Sequence, residues 1–148
     1  MIKCLLFLIL TTNIGMKAFS QPGDHLTNRF RTSVITKMEY DGKEFKDTEL
    51  LSYPTTFQIT DKYFYIESDH PDIGSKNIKL AGAPVETPNK EIITYVGGVV
   101  GDSATFYVSV YYNKKSSVYA KKREIIKVQL FAGNIGYRFH SYSPIDYF

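Results

Sequence analysis

Thr105 to Asn113 reads Thr-Phe-Tyr-Val-Ser-Val-Tyr-Tyr-Asn, and its rhythm decides the fold. Successive side chains of a strand point to opposite faces, so a repeat of two marks a sheet. Phe106, Val108, Val110 and Tyr112 fall on one face, and Tyr107, Ser109 and Tyr111 on the other. Ile126, Val128 and Leu130 alternate with Lys127 and Gln129 in the same way. These two segments are expected to pair as a long hairpin across the Lys114–Lys122 connection.

The same rhythm runs through the preceding residues. Val34, Thr36, Met38 and Tyr40 alternate with Ile35, Lys37 and Glu39, and Asp41-Gly42 supplies a hairpin turn. Phe57 and Ile59 precede Asp61-Lys62, and Phe64 and Ile66 follow it, which reads as a second tight hairpin. Ile78 and Leu80 mark another strand, as do Ile93 and Tyr95 before Gly97-Gly98. Tyr137, Phe139 and Ser141 alternate with Arg138, His140 and Tyr142 in a last one. Lys43 to Leu51 reads as a short strand or a single helical turn, and the prolines read as turns or ends. The expected fold is all-β: an antiparallel meander of about eight strands forming a small barrel or strongly curved sheet. A two-sheet β-sandwich is the alternative. Long, sequentially paired strands favour closure.

The amino-terminal segment speaks of destination. Met1-Ile2-Lys3 gives a positive start, Cys4 to Leu10 (CLLFLIL) an apolar run, and Ala18-Phe19-Ser20 small residues of the kind a signal peptidase reads. Residues 1–20 are therefore expected to be a signal peptide and 21–148 a single β domain, exported to the periplasm or secreted by a bacterial-type host. The apolar run falls short of the roughly 20 residues a spanning helix needs, so no transmembrane anchor is expected after cleavage. Cys4 is the sole cysteine, so the exported part would fold without disulfides and depend on a packed core. The chain holds 18 basic and 15 acidic residues, and Lys3 and Lys17 lie in the leader. The remainder is nearly neutral, which makes nucleic acid an unlikely partner on charge grounds.

The search for chemistry gives few leads. His25, His70 and His140 are far apart, no Cys-x-x-Cys or paired-histidine spacing occurs, and no metal or other cofactor is expected. Asp69-His70-Pro71-Asp72 reads more simply as a polar turn than as ligands. No nucleophile elbow is present. His140 could serve as a general base if a carboxylate such as Glu67 converged on it, although a strand histidine is more often merely hydrogen-bonded. Gly97 to Asp102 lacks the ending of a phosphate loop and reads as a flexible hairpin connection. Lys114, Lys115, Lys121, Lys122 and Arg123 form a basic cluster that could contact polyanions, or simply keep a loop solvated. Tyr63, Tyr65, Tyr107 and Tyr111 lie opposite the strongest apolar rows and could form a ligand or partner surface.

In architecture alone, this exported, cysteine-free, tyrosine-rich meander resembles small barrels of the lipocalin-like kind, with no motif that carries residues across. The reading that follows is a non-enzymatic binding module. It would hold a small apolar or amphipathic ligand in a barrel mouth, or a protein partner on its tyrosine-bearing surface. The alternatives are a secreted hydrolase-type enzyme using His140 with nearby carboxylates, and a structural or adhesive surface component using loop 114–123.

Overall fold

The computed structural model describes residues 25–26, 28–113 and 122–140, with the backbone alone for His25, Leu26 and Lys122. The leader, Lys114, Lys115, Lys121, Ser141 and Tyr142 lie outside the described residues. The strands are β1 (His25–Leu26), β2 (Arg29–Tyr40), β3 (Phe45–Ile59), β4 (Tyr63–Ser68), β5 (Lys76–Leu80) and β6 (Val85–Glu86). They continue with β7 (Ile92–Gly98), β8 (Thr105–Tyr112), β9 (Lys122–Arg123), β10 (Ile125–Ala132) and β11 (Ile135–His140).

Each long strand pairs antiparallel with the next long strand in the chain, and β11 returns to pair with β2. The ring closes where β5 meets β7, so eight strands form a barrel and the two-sheet alternative is set aside. The remaining edge of β7 is covered by β6, with Val85 opposite Thr94 and Glu86 opposite Ile93. β1 and β9 form a separate parallel pair, with His25 opposite Lys122 and Leu26 opposite Arg123.

The turns follow from their residues. After β2, Asp41 Oδ1 accepts hydrogen bonds from the amides of Lys43 and Glu44 at 2.9 and 3.0 Å, and Gly42 takes φ of 99°. That is the side-chain turn expected of Asp followed by Gly. After β3, Thr60 Oγ1 accepts from the amide of Tyr63 at 2.9 Å, fixing the tight turn around Asp61-Lys62.

The closing seam is short. Lys79 faces Gly98 and Leu80 faces Gly97, and the amide of Ala81 donates to the carbonyl of Val96 at 2.8 Å. A Cβ on Gly97 would lie 2.7 Å from Ile78 Cγ2 and would overlap the carbonyl oxygen of Lys79. The two backbones approach this closely only because one residue has no side chain. Gly97 thus belongs to the wall, not to the flexible connection expected for Gly97 to Asp102.

An eight-stranded barrel has an interior just wide enough for side chains to fill. Here Phe57 is the hub. Its ring centroid lies 4.6 Å from that of Phe139, 5.5 Å from Phe64 and 5.9 Å from Phe30. Phe57, Phe64, Phe139, Ile35, Ile78, Val108, Val110 and Val128 are fully buried around one another. Burying each such side chain contributes about 1.5–3 kcal/mol, so this packed lumen supplies the stability that disulfides would supply elsewhere.

Irregularities in register decide which side chains reach the interior. Phe106, Val108, Val110 and Tyr112 all point inward as their spacing requires. In β2, shifts against β3 between Thr32 and Val34 and between Lys37 and Met38 leave extra residues in β3. Ile35 and Lys37 consequently face inward, and the row Val34, Thr36, Met38 and Tyr40 lies on the outer wall. In β10, a shift between Ile125 and Lys127 puts Ile125 in the core and leaves Ile126 half-buried, which corrects the expected pairing of Ile126 with Val128. Pro54 lies inside β3 rather than at an end. It has no residue opposite it in β2, because Ser52 and Thr55 face Val34 and Thr32, and a bulge tolerates a missing amide.

Replacing Gly97 with Ala is expected to destabilise the fold by about 2–3 kcal/mol. Gly98→Ala, whose Cβ would meet only the Ala104 carbonyl at 3.8 Å, should cost much less. Urea titrations followed by circular dichroism would separate the two, and equal midpoints would refute the seam argument.

Candidate functional site

One end of the barrel is shaped by the segment between β4 and β5. Its anchor is His70, read from sequence as part of a polar turn but almost fully buried. His70 Nδ1 accepts the amides of Asp72 and Ile73 at 3.1 and 3.3 Å, and the carbonyl of His70 accepts the amide of Gly74 at 2.8 Å. Accepting at Nδ1 requires a lone pair there, so the neutral imidazole carries its proton on Nε2. The Tyr53 ring meets the His70 ring edge to face at 4.7 Å. Beneath it, Thr55 Oγ1 and Ser68 Oγ share a buried hydrogen bond of 2.8 Å. This turn drives Ile73 down onto the end of the core, where it is 2% exposed.

Beside Ile73 opens a pocket of about 420 Å³. Its floor is Phe106, Leu130, Ala132 and Tyr137, the inward residues that end β8, β10 and β11. Its charged lining is Lys37 from β2, Lys76 from β5 and Asp72 from the capping turn. Lys37 is inward-facing because of the first β2 register shift, and its Nζ lies 3.0 Å from Glu39 Oε1. That hydrogen bond and the charge of Glu39 hold the Lys37 ammonium above its ordinary value. Lys76 is different. Its Nζ stands 5.2 Å from the centroid of Phe106, a cation–π contact, and desolvation lowers its pKa, opposed in part by the charge of Asp102. Among the described residues, no carboxylate comes within ion-pair distance of Lys76 Nζ. Burial raises the Tyr137 phenol, and the charge of Asp72 raises it further.

The opposite mouth holds a wider pocket of about 520 Å³ between Ile59, Leu80, Tyr95 and Tyr112, with Thr60 and Asp61 at its edge. Burial raises both tyrosine phenols there, so they remain neutral hydrogen-bonding groups, and among the described residues that line this pocket Asp61 carries the charge. A third hollow of about 640 Å³ lies on the outside, along β5 near Val99 and Val100. Of these three hollows, the first joins a floor of core side chains to basic groups among the described residues.

The four tyrosines singled out from sequence do not converge. Tyr63 and Tyr65 stack at 5.5 Å on the outer face of β4. Tyr107 and Tyr111 lie on the outer face of β8, with β5 and β7 between the two pairs. Tyr107 is 48% exposed. The Tyr111 hydroxyl donates to Gln129 Oε1 at 2.8 Å, and Lys127 Nζ stands 3.9 Å from its ring centroid, so its polar tip is already occupied. Around Tyr107 the wall is more aromatic than the sequence suggested. Phe131 stands opposite it, packs on Phe45 at 4.7 Å and covers Gly136, while Tyr40 meets Phe45 at 5.4 Å. Tyr40, Phe45, Tyr107 and Phe131 come from four strands, so no local spacing could reveal them.

The basic cluster divides. Arg123 is buried, its Nε donating to the Asn113 carbonyl at 2.9 Å and its NH1 group to the Asn89 carbonyl at 2.6 Å. It ties two connections together instead of presenting its charge to solvent. The side chains of the other four cluster members lie outside the described residues. His140 sits between Lys127 and Val34 in register, and its carbonyl accepts the Thr32 hydroxyl. Glu67 is exposed on β4, with β2 and β3 between that strand and β11. Among the described residues, no three His, Cys, Asp or Glu side chains stand close enough to hold a metal ion. No protein-family model, curated protein or solved structure matches the chain.

His70→Ala would leave two amides without their acceptor and remove the ring beneath Tyr53. It should lower stability by about 2 kcal/mol and speed amide hydrogen exchange in residues 69–75 selectively. Unchanged exchange there would show that the imidazole does not hold the turn. For Lys76 the sign is opposite. A lowered folded-state pKa means that its charged form opposes folding, and that this penalty fades as pH rises through the ordinary lysine range. Lys76→Met should therefore stabilise the fold at pH 7, by about 1 kcal/mol or less after solvent screening and measured by urea titration, with the gain vanishing near pH 11. A gain that grows with pH would contradict the desolvation argument.

Proposed function

We propose that the protein is an exported, non-enzymatic binding module that holds a small amphipathic ligand in the Lys37–Lys76 mouth. The observation that carries this reading is the 420 Å³ pocket, in which core side chains form an apolar floor below basic groups. Barrel mouths with a few polar groups over an apolar lining suit small-molecule binding, and this volume lies in the usual range. The packed lumen keeps such a ligand at the mouth, unlike a hollow barrel that swallows its cargo. The pattern of residues 1–20 supports export. The His140–Glu67 alternative gains no support from their placement on strands separated by two others.

The outer band of Tyr40, Phe45, Tyr107 and Phe131 favours a second reading, a protein partner bound on the wall. It is shallower than the mouth, and much of its aromatic surface is spent on intramolecular packing.

The neutral dye N-phenyl-1-naphthylamine separates the two. Its fluorescence should rise on binding to the protein, and Ala132→Phe, which fills the floor, should abolish the rise. Tyr107→Ala should leave it intact. Binding that survives Ala132→Phe and falls with Tyr107→Ala would move the site to the outer wall.

A further inference from the structure

We infer that the ligand is an amphipathic anion, with an oxyanion head set against Lys76 Nζ and an apolar body lying on Phe106 and Leu130. This inference rests on the mouth reading and adds the sign of the head group.

The basis is the unequal state of the charged groups around the pocket. Lys37 already has Glu39 at 3.0 Å, so much of its charge is answered within the fold. Asp72 lies exposed on the capping turn and keeps its hydration. Lys76 is half-buried over an aromatic face, and among the described residues it has no carboxylate within ion-pair distance. An ammonium withdrawn from water needs an acceptor, and a charge-assisted hydrogen bond to an oxyanion is among the strongest available. A neutral ligand would cover Lys76 further without replacing the lost water. A cationic ligand would add repulsion from two lysines to attraction from one carboxylate. The apolar floor favours a hydrocarbon or ring body over a fully polar anion, because a free inorganic anion would leave Phe106 and Leu130 wet.

The placement of Lys76 reinforces the assignment. It is the first residue of β5, paired with Ile66 across β4, and its backbone is fixed by the wall. Its terminal amine stands over the Phe106 ring, 5.2 Å from the centroid, beside the apolar floor. A head group bound there is read by a charge whose position the barrel sets.

The test uses the protein and three ten-carbon probes of matched tail: decanoate, decanol and decyltrimethylammonium, titrated by calorimetry at low salt. Decanoate should bind about tenfold tighter than decanol, and decyltrimethylammonium more weakly than either. Lys76→Met should erase the preference for decanoate while keeping decanol and dye binding, and Lys76→Arg should restore it. Dye binding by Lys76→Met also shows that the variant is folded. Decanoate no tighter than decanol, a preference that survives Lys76→Met, or a preference for the cationic probe would overturn the anion assignment with the mouth intact. Failure of all three probes and the dye in the wild-type protein would remove the mouth reading itself.

Discussion

Closure at Gly97 is the constraint on which the rest of the molecule depends. Seven of the eight strand junctions are ordinary antiparallel ladders between consecutive long strands or between β11 and β2. The eighth joins β5 to β7 over two paired positions, and it forms only where Gly97 lets the backbones come together. An open sheet would present two unpaired edges to other chains, and a closed ring presents none. The offset at this seam also explains β6. The edge of β7 that β5 does not reach is taken by Val85–Glu86, so the excursion between β5 and β7 completes the wall instead of merely crossing it.

Closure at eight strands has a consequence for chemistry. The enclosed space is small, and Phe57, Phe64 and Phe139 occupy it. Nothing of useful size enters the lumen, so binding must be sought where strands end and inward side chains run out. The two ends differ because different elements finish them. At one, Tyr95 and Tyr112 stand beside Thr60 and the carboxylate of Asp61. At the other, a turn held by the His70 imidazole leaves Lys37 and Lys76 beside the open floor.

The wall was legible in the sequence because its signals are local. Alternation from Phe106 to Tyr112 named the inward row, and Asp41-Gly42 and Asp61-Lys62 marked two turns through backbone and side-chain preferences that act over a few residues. Register was less legible. The slip in β10 exchanges Ile125 for Ile126, and both are isoleucine, so composition could not say which is buried. Pro54 looked like an end because the residue that would need its amide is missing only when β3 bulges against β2. Arg123 looked like one of a run of surface charges, yet its guanidinium is held by carbonyls from distant connections. The mouth was invisible for the same reason. Lys37 read as one residue of a strand's alternation and Lys76 was not singled out, and only the closed ring brings them to one pocket.

Wall and mouth are not independent. β5 carries Lys76 at its start and the closing residues Lys79 and Leu80 at its end, so one short strand holds both the proposed head-group contact and the seam. Two residues separate Lys76 from Lys79, which pairs with Gly98. An oxyanion that binds only the closed barrel would draw on that geometry and stabilise it by mass action. The lone half-buried amine opposes folding in the empty protein and becomes favourable once it is partnered. A desolvated amine is hard to explain by stability alone, and its position on the strand that shuts the ring would give the proposed binding a direct route to the integrity of the fold.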